Sequence, residues 1–346
     1  MTDSSLTFLS GAVPLLSVSH LTVEFLLENR PVPVVRDIGF EIYPGKTLGL
    51  VGESGCGKSM TGLALLRLTP RPGRVAAGTM IYRRGGETVD LASLDSSGEE
   101  IRRIRGGEIA MIFQEPMSAL NPVYTIGQQI GETIRLHAGT GRKETRNRAI
   151  EALRRVGVPG PETRVDAYPH QLSGGLRQRA MIAMALSCSP RLLIADEPTT
   201  ALDVTIQAQI VDLLKSLQEE TGMAILMITH DLGVMADMAH DIAVMYAGQI
   251  VEHGPPEAIY AQPRHPYTQG LLASVPRLAA TDRGRLSPIP GVVPQPGRMP
   301  EGCSFRPRCG FAFDPCTLPP PLRKTGARHH ACCWLETAPA SLQPSV

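Results

Sequence analysis

A glycine-rich stretch between an apolar run and a second apolar run most constrains what this chain can fold into. Residues 52–59 read GESGCGKS; they follow TLGLV and precede MTGLALLRL. Glycines at these positions let backbone N–H groups wrap an anion, because a Cβ would block the turns and the close approach that wrapping requires. A helix that follows directly would also point its positive end at the anion. The stretch therefore predicts a strand, a phosphate-binding loop and a helix, and hence a nucleotide site.

The side chains of this loop have separate predicted tasks. Lys58 supplies a cation for the β- and γ-phosphates, and Ser59 supplies a hydroxyl for Mg²⁺. The alternative interpretation is a glycine-rich turn with a solvated lysine, and the strand and helix context favours the nucleotide. The residues that we expect at the nucleotide are Gly52, Glu53, Ser54, Gly55, Cys56, Gly57, Lys58, Ser59 and Met60.

Composition limits the classes of function. The chain has 346 residues, 42% hydrophobic content and a formal net charge of +1, enough for one large domain and a smaller one. A near-neutral charge argues against a dominant nucleic-acid role. The start, MTDSSLTFLSGAVPLL, lacks a basic signal-peptide region, and no run approaches the about 18 apolar residues of a membrane span. We expect a cytoplasmic chain that reaches a membrane only through partner subunits.

Hydrophobic periodicity predicts an α/β fold. The segments LLSVSHLTVEFLLE and VVRDIGFEIYPGKTLGLVG alternate as antiparallel strands do, and a polar, glycine-rich stretch after the first helix predicts a peripheral hairpin region. The apolar strands RLLIAD and GMAILMITH, separated by a helix-like segment, predict a mostly parallel sheet covered on both faces. Helices are predicted near 58–68, over 143–156 and from about 174, the last capped by Ser173.

Acidic residues at the end of an apolar strand form the second chemical signal. In RLLIADEP the strand ends in Asp196 and Glu197. Asp196 is the expected Mg²⁺ holder, and Glu197 is the expected base that polarises the attacking water. The alternative for Glu197 is an acid that only favours a helix dipole. His230 ends the strand AILMITH, where a lone histidine is more often structural than catalytic.

Several motifs in a fixed order carry a family resemblance. LSGGLRQR at 172–179 precedes LLIADEP, and TTALD and MITHD follow. Together they resemble the nucleotide-binding subunit of ABC transporters over about residues 14 to 254. The resemblance implies an α/β, ABC-type P-loop NTPase with a RecA-like core, an antiparallel β subdomain and a helical subdomain at about 115–172. Residues 1–13 are then a tail, and 255–346 a small cysteine-containing C-terminal extension.

The resemblance also implies roles for individual residues. Phe25 would stack on adenine, Gln114 would approach Mg²⁺ and couple the site to membrane subunits, and His230 would contact the γ-phosphate. Ser173, Gly174 and Gly175 would contact the γ-phosphate held by an opposite subunit, and Asp203 would link the two sites. Leu176 stands where the general signature LSGGQ has glutamine, which we interpret as a mark of a peptide-importer subgroup.

Two further segments narrow the resemblance. EPMSALNPVYTIGQQI after Gln114 and YAQPRHPYTQGLLASVPRL at 260–278 look like the oligopeptide, dipeptide and nickel importer family. The implied function is ATP hydrolysis that powers peptide import, with a second related ATPase subunit, two permeases and an extracytoplasmic binding protein. The implied place is the cytoplasmic face of the inner membrane, with no nucleic-acid partner. The alternatives are a soluble ABC-type ATPase on nucleic acid or ribosomes, and an importer of nickel, glutathione or another small solute.

Cysteines crowd the C-terminal extension. Cys303, Cys309 and Cys316 are spaced by six and seven positions, and ACCWL follows. Such a cluster in a cytosolic protein indicates a metal site more than a disulfide framework, although no CxxC pair of a zinc ribbon is present. The family resemblance implies a 4Fe-4S cluster with Cys333 as fourth ligand and Cys332 as its rival. Unliganded cysteines are the alternative. Cys56 and Cys188 are expected only to pack.

Overall fold

The computed structural model describes residues 12–200, 202–274 and 289–336. Most of the predicted N-terminal tail lies outside these ranges. The chain divides into two compact units. The first comprises Met1–Tyr43, Thr47–Ser93 and Ile228–Val346, and the second comprises Pro44–Lys46 and Leu94–Met227. Within the described ranges, we find no helix with the length and apolar character that crossing a membrane requires.

The described residues form both strands and helices, as an α/β fold requires. The strands are β1 (Leu16–Leu27), β2 (Arg30–Ile42), β3 (Thr47–Val51), β4 (Gly73–Arg84), β5 (Glu87–Asp90), β6 (Ile109–Ile112), β7 (Leu192–Asp196), β8 (Ala224–Thr229), β9 (Asp241–Tyr246), β10 (Gln249–Gly254), β11 (Leu322–Lys324) and β12 (His330–Cys332). The helices are α1 (Lys58–Leu65), α2 (Glu99–Ile104), α3 (Pro116–Ala119), α4 (Ile126–Ala138), α5 (Arg142–Arg155), α6 (Pro161–Arg164), α7 (Gly174–Leu186), α8 (Val204–Thr221), α9 (Leu232–Met238), α10 (Pro256–Ala261) and α11 (Pro266–Ala273).

An antiparallel sheet forms one layer of the first unit. Its order is β2-β1-β4-β5, and β1 pairs with β2 from Leu16 opposite Ile42 to Leu27 opposite Arg30. Alternating buried and half-exposed residues along β1 explain why the sequence pattern identified it. The sequence predicted a peripheral hairpin here, and this prediction was wrong. The strand β4 of the β4–β5 hairpin pairs along β1 within the sheet. The polar composition of β4 reflects a strand with mostly half-exposed or exposed side chains.

The phosphate loop follows β3, which belongs to a second set of paired strands in the same unit. β3 pairs in parallel with β9, and both strands are buried along their whole length. β9 continues antiparallel to β10, β10 to β12, and β12 to β11. The C-terminal extension therefore adds two strands to the sheet from which the phosphate loop emerges. Helix α1 follows the loop and ends at Leu65, three residues before the predicted end.

A buried carboxylate fastens the C-terminal extension to β10. Glu252 is fully buried, and its two oxygens accept hydrogen bonds from the backbone N–H of Arg264 at 2.7 Å and of His265 at 2.9 Å. The Nε2 atom of His329 lies 2.7 Å from the same carboxylate. Because a buried carboxylate is costly without such partners, this cluster sets where the segment before α11 and the strand β12 attach.

The second unit is the predicted parallel layer with helices. β6 pairs in parallel with β7, and all residues of both strands are buried. Helix α4 begins with a capping box of Thr125 and Gln128, and α5 covers almost the predicted 143–156. Helix α8 ends at Thr221, and the next residue, Gly222, caps it with a left-handed backbone conformation. The buried strands and amphipathic helices agree with the α/β prediction.

Candidate nucleotide site

Two glycines of the phosphate loop are required by the backbone that passes beside them. A Cβ on Gly52 would lie 2.1 Å from the carbonyl oxygen of Met245 in β9. Gly57 has a φ of 105°, which L side chains rarely adopt, and a Cβ there would lie 2.8 Å from the carbonyl oxygen of Val34. The loop is therefore pressed against β2 and β9, and the glycine positions read from the sequence have a steric cause.

The loop lysine is held by the loop itself. Lys58 is 4% exposed, and its ammonium donates to the carbonyl oxygens of Gly52 at 2.8 Å and of Glu53 at 3.1 Å. These bonds compensate the burial of a charge and fix the ammonium inside the loop. Cys56 is buried, and burial raises the pKa of its thiol, which keeps it neutral. The Cys56 side chain therefore packs inside the loop.

Residues of the C-terminal extension contact this loop, which the sequence did not reveal. The carboxylate of Glu53 accepts two hydrogen bonds from Arg308, and the backbone N–H of Glu53 donates to the hydroxyl of Tyr267 at 2.8 Å. Tyr267 lies in the segment HPYTQGLL, which is part of the resemblance to the oligopeptide, dipeptide and nickel importer family. This resemblance is the sequence signal that could have drawn attention to Tyr267. Arg308 carries no comparable signal, since it is 255 positions from its partner.

The strand-end acids and the loop glutamine lie together in the second unit. Asp196 ends β7 and is 4% exposed. The Oε2 atom of Glu197 accepts hydrogen bonds from Nε2 of Gln114 at 3.0 Å and from the hydroxyl of Thr200 at 2.9 Å. Glu197 has a φ of 46°, a left-handed conformation uncommon for a residue with a Cβ. The structure thus brings Gln114 to the predicted catalytic carboxylate.

The signature residues begin helix α7 as predicted. The Ser173 hydroxyl oxygen accepts a hydrogen bond from the backbone N–H of Leu176 at 3.4 Å, and Ser173 and Gly174 are exposed. Leu176 is half-buried, so its apolar side chain is partly covered by the protein. Asp203 caps α8 through a 2.9 Å bond from the N–H of Ile206. The start of α7 therefore presents a hydroxyl and a helix N-terminus at the surface.

The two remaining predicted residues of the site belong to the first unit. Phe25 is half-buried in β1, and His230 is exposed directly after β8. Their contacts with adenine and with the γ-phosphate remain predictions.

Four cysteines of the extension line one cavity. Cys303, Cys309, Cys316 and Cys333 face this cavity together with aromatic side chains that include Phe305 and Trp334. Cys332 does not line it; its thiol points to the carbonyl oxygen of Ile250 at 3.5 Å. Burial raises the pKa of the Cys309 thiol to about 11 and that of Cys332 to about 12. All seven cysteines, which lie in the described ranges, are free of disulfides.

These four cysteines are not arranged around one metal ion. Among the described residues, no three His, Cys, Asp or Glu side chains form a group that could hold a single ion. A mononuclear zinc site therefore has no support in the described part of the extension. The four predicted cluster ligands nonetheless line the same cavity, and Cys332 does not.

Comparisons with known proteins agree with the fold and the loop. Residues 35–200 match the ABC transporter family, and residues 251–316 match the family described as oligopeptide/dipeptide transporter, C-terminal region. A putative peptide import ATP-binding protein of Brucella melitensis is 53% identical over 335 residues, which cover 94% of this chain and 98% of that protein. A protein of Brucella abortus with the same description is 51% identical over 320 residues, 92% and 94% of the two chains.

Solved structures show the same architecture. A dimeric bacterial ABC transporter cassette aligns with a TM-score of 0.61 at 26% identity, over 70% of this chain and 98% of that one. The same cassette has been captured in a post-hydrolysis state with ADP and Pi. The cbiO1 subunit of Clostridium perfringens, part of the ABC transporter complex cbiONQ, aligns with a TM-score of 0.59 at 25% identity, over 72% and 91% of the two chains.

These findings confirm the predicted ABC-type P-loop fold, the recognition of the family and the ATPase activity. The sequence predicted ATP as the nucleotide, and the family agrees. They support neither an iron-sulfur cluster nor another metal in the extension. The chain belongs to the ABC transporter family, as an ATP-hydrolysing subunit that carries the C-terminal region of oligopeptide and dipeptide transporters.

Proposed function

We propose that this chain powers the import of peptides across the cell membrane from its cytoplasmic face, where it binds peripherally. The observation that carries this proposal is the near-full-length similarity to putative peptide import ATP-binding proteins, at 53% identity. The match of residues 251–316 to the oligopeptide/dipeptide transporter C-terminal region supports the same class of cargo. Hydrolysis of ATP supplies the free energy for the transport cycle.

The residues of the first unit would bind ATP. The backbone N–H groups of residues 52–60 and the Lys58 ammonium, fixed inside the loop, would hold the phosphates. Phe25 would stack on the adenine, and His230 would contact the γ-phosphate.

Carboxylates of the second unit would carry the hydrolytic step. Asp196 and Gln114 would offer oxygen ligands of the kind that Mg²⁺ prefers, and Mg²⁺ would supply charge neutralisation when it is bound with ATP. Glu197 would accept a proton from the attacking water. Its bonds from Gln114 and Thr200 orient the carboxylate before the reaction, and Gln114 can transmit the state of a docked permease to that carboxylate.

A second ATPase subunit would complete each site. Ser173, Gly174 and Gly175 would stabilise the γ-phosphate bound by that subunit, because the N-terminus of α7 directs N–H groups and a dipole outward. Asp203 would link the two sites. A related but different subunit is the proposed partner, which makes the assembly a heterodimer.

Exposed apolar side chains of the second unit would take part in docking a permease. Large apolar side chains that stay exposed on a soluble domain are candidates for a protein-protein contact. We propose that two permeases dock there, that an extracytoplasmic binding protein delivers the peptide, and that no nucleic acid takes part. The exposed side chains in this part of the unit are Phe113, Val123, Tyr124, Leu136 and Tyr168.

The four cysteines that share a cavity would hold a 4Fe-4S cluster. Their donor set fits the Cys₄ ligation of such a cluster, and their arrangement does not suit a single ion. The cluster would supply a redox-active or structural centre when bound. Cys333 is the proposed fourth ligand, because Cys332 points to Ile250 instead. We expect brown wild-type protein with iron and sulfide after anaerobic purification, and loss of visible absorption in Cys303→Ser but not in Cys188→Ser. Colourless, iron-free wild-type protein would refute the cluster.

The proposed function is tested by identifying the proteins that assemble with this chain. The full chain is purified anaerobically from native membranes in mild detergent, and stoichiometric partners are identified by mass spectrometry. Two permeases and a second ATPase are expected, with ATP hydrolysis stimulated by a peptide-loaded binding protein. Stimulation by nickel chelates, glutathione or another solute instead of peptides would change the cargo. Ribosomal or DNA-processing partners without a permease would refute the importer.

A further inference from the structure

Arg308 of the C-terminal extension forms an ion pair with the side chain of Glu53 in the phosphate loop. Nη1 of Arg308 donates to Oε2 of Glu53 at 2.7 Å, and Nη2 donates to Oε1 at 3.0 Å. The Arg308 side chain is 3% exposed and that of Glu53 is 30% exposed. This paired geometry is the strongest form of a guanidinium-carboxylate contact, and it makes the Glu53 carboxylate part of a neutral pair.

Arg308 is itself fixed from several sides. Its Nε donates to the carbonyl oxygen of Pro290 at 2.8 Å, and its Nη2 also donates to that of Ile289 at 3.3 Å. The guanidinium lies 5.7 Å from the ring centre of Tyr246 and 5.9 Å from that of Phe305. Such a stacked and forked position suits arginine and is not reproduced by lysine. The guanidinium is therefore held in place before any nucleotide binds.

The extension also holds the backbone of the same loop residue. The N–H of Glu53 donates to the Tyr267 hydroxyl at 2.8 Å. Tyr267 is fully buried, and burial raises the pKa of its hydroxyl far above the ordinary value, so it stays neutral. Its ring packs on Tyr246 at 4.7 Å and on Phe305 at 5.5 Å between ring centres. Two side chains of the extension thus fix both the main chain and the side chain of Glu53.

A negatively charged carboxylate in a phosphate-binding loop is expected to weaken the binding of ATP. Like charges at short distance repel, and the repulsion grows where protein replaces water. Glu53 lies beside Gly52 and five positions before Lys58, within the stretch that we expect to wrap the ATP phosphates. An unpaired Glu53 would oppose ATP and compete for the Lys58 ammonium.

We propose that Arg308 and Tyr267 are positioning residues for ATP binding in the same chain. Arg308 neutralises the Glu53 carboxylate and holds it toward the extension, and Tyr267 fixes the backbone of the loop. The extension thereby acts on the affinity for ATP. This inference rests on the proposal that residues 52–59 hold the phosphates.

Equilibrium binding of ATP to the purified full-length chain tests the inference. Arg308→Gln should raise the Kd for ATP about tenfold, because the Glu53 carboxylate then stays charged and unneutralised in the loop that is proposed to hold the phosphates. The double variant Arg308→Gln with Glu53→Gln should return the Kd to within about threefold of wild type, since it removes the repulsion. Tyr267→Phe, which loses only the hydroxyl, should raise the Kd about fivefold because the Glu53 N–H loses its acceptor.

A matched control comes from the same extension. Arg328 forms an ion pair with Asp241 at 2.5 Å and contacts no residue of the phosphate loop among its described hydrogen bonds. Arg328→Gln should leave the Kd unchanged even if it lowers the melting temperature. Lys58→Ala tests the loop separately, and normal ATP binding by that variant would refute the loop assignment rather than the role of Arg308.

Two results would overturn the inference. In the first, Arg308→Gln and Tyr267→Phe fold and bind ATP within twofold of wild type. In the second, the double variant binds ATP as weakly as Arg308→Gln, which would show that Arg308 supports only the extension. If Arg308→Gln does not fold, Tyr267→Phe decides: a raised Kd at an unchanged melting temperature supports the inference, and an unchanged Kd refutes it.

Discussion

Replacing Glu252 with glutamine should loosen the attachment of the C-terminal extension. The side chain is fully buried, and three donors point at its two oxygens: the backbone N–H groups of Arg264 and His265 and the ring of His329. Glutamine has nearly the same volume, so no cavity forms. Its amide nitrogen replaces one acceptor oxygen, and one donor must then face another donor.

The magnitude follows from that lost acceptor. A buried hydrogen bond to a charged group contributes about 1.5–3 kcal/mol to the free energy of unfolding. For a domain of roughly 200 residues, each kcal/mol corresponds to about 2–4 °C in melting temperature, so we expect a decrease of about 3–12 °C. Glu252→Leu leaves all donors without an acceptor and should cost more, about 3–5 kcal/mol.

Thermal unfolding of the full-length chain, followed by circular dichroism, measures the effect. Glu257→Gln is the control, since Glu257 is exposed in the first turn of α10, and its melting temperature should stay within about 1 °C. A Glu252→Gln protein that melts within 1 °C of wild type would show that the carboxylate does not organise the extension, and the reasoning from its three donors would be wrong.

Three further predictions concern catalysis, the loop and acid stability. Glu197→Gln should keep ATP affinity but lose at least about a hundredfold in kcat, because the amide cannot accept the water proton; normal turnover in a coupled ATPase assay would refute the base assignment. Gly52→Ala should abolish ATP binding in an equilibrium titration, since its methyl would meet the Met245 carbonyl at 2.1 Å, and binding close to wild type would contradict this. Burial, aided by the charges of His330 and Arg328, lowers the pKa of His253 to about 3. The unfolded chain takes up that proton below about pH 6.5 and the folded chain does not, so the free energy of unfolding should fall by about 1.4 kcal/mol from pH 7.5 to 5.5. Denaturant titrations at both values should show this dependence reduced in His253→Gln, and an unreduced slope would refute it.

Features of the chain that depend on near neighbours could be predicted from the sequence. The phosphate loop, the acids after β7, the caps of α7 and the helices α5 and α8 were all recognisable, because glycine positions and apolar periodicity act within a few residues. The predictions of where α1 ends and of where β4 lies in the fold were less accurate. A polar strand beside β1 has no alternation strong enough to distinguish it from a surface hairpin.

The sequence by itself determined the nucleotide chemistry of this protein, since the loop, the strand-end acids and the signature are local patterns. Only the tertiary structure decided which distant groups share a site. Arg308 and Glu53 are 255 positions apart, and Gln114 and Glu197 are 83 apart. Cys332 and Cys333 are neighbours, yet only the packing of β12 on β10 decides which thiol faces the cavity. Such pairings follow from the packing of buried surfaces against one another, which no local pattern encodes.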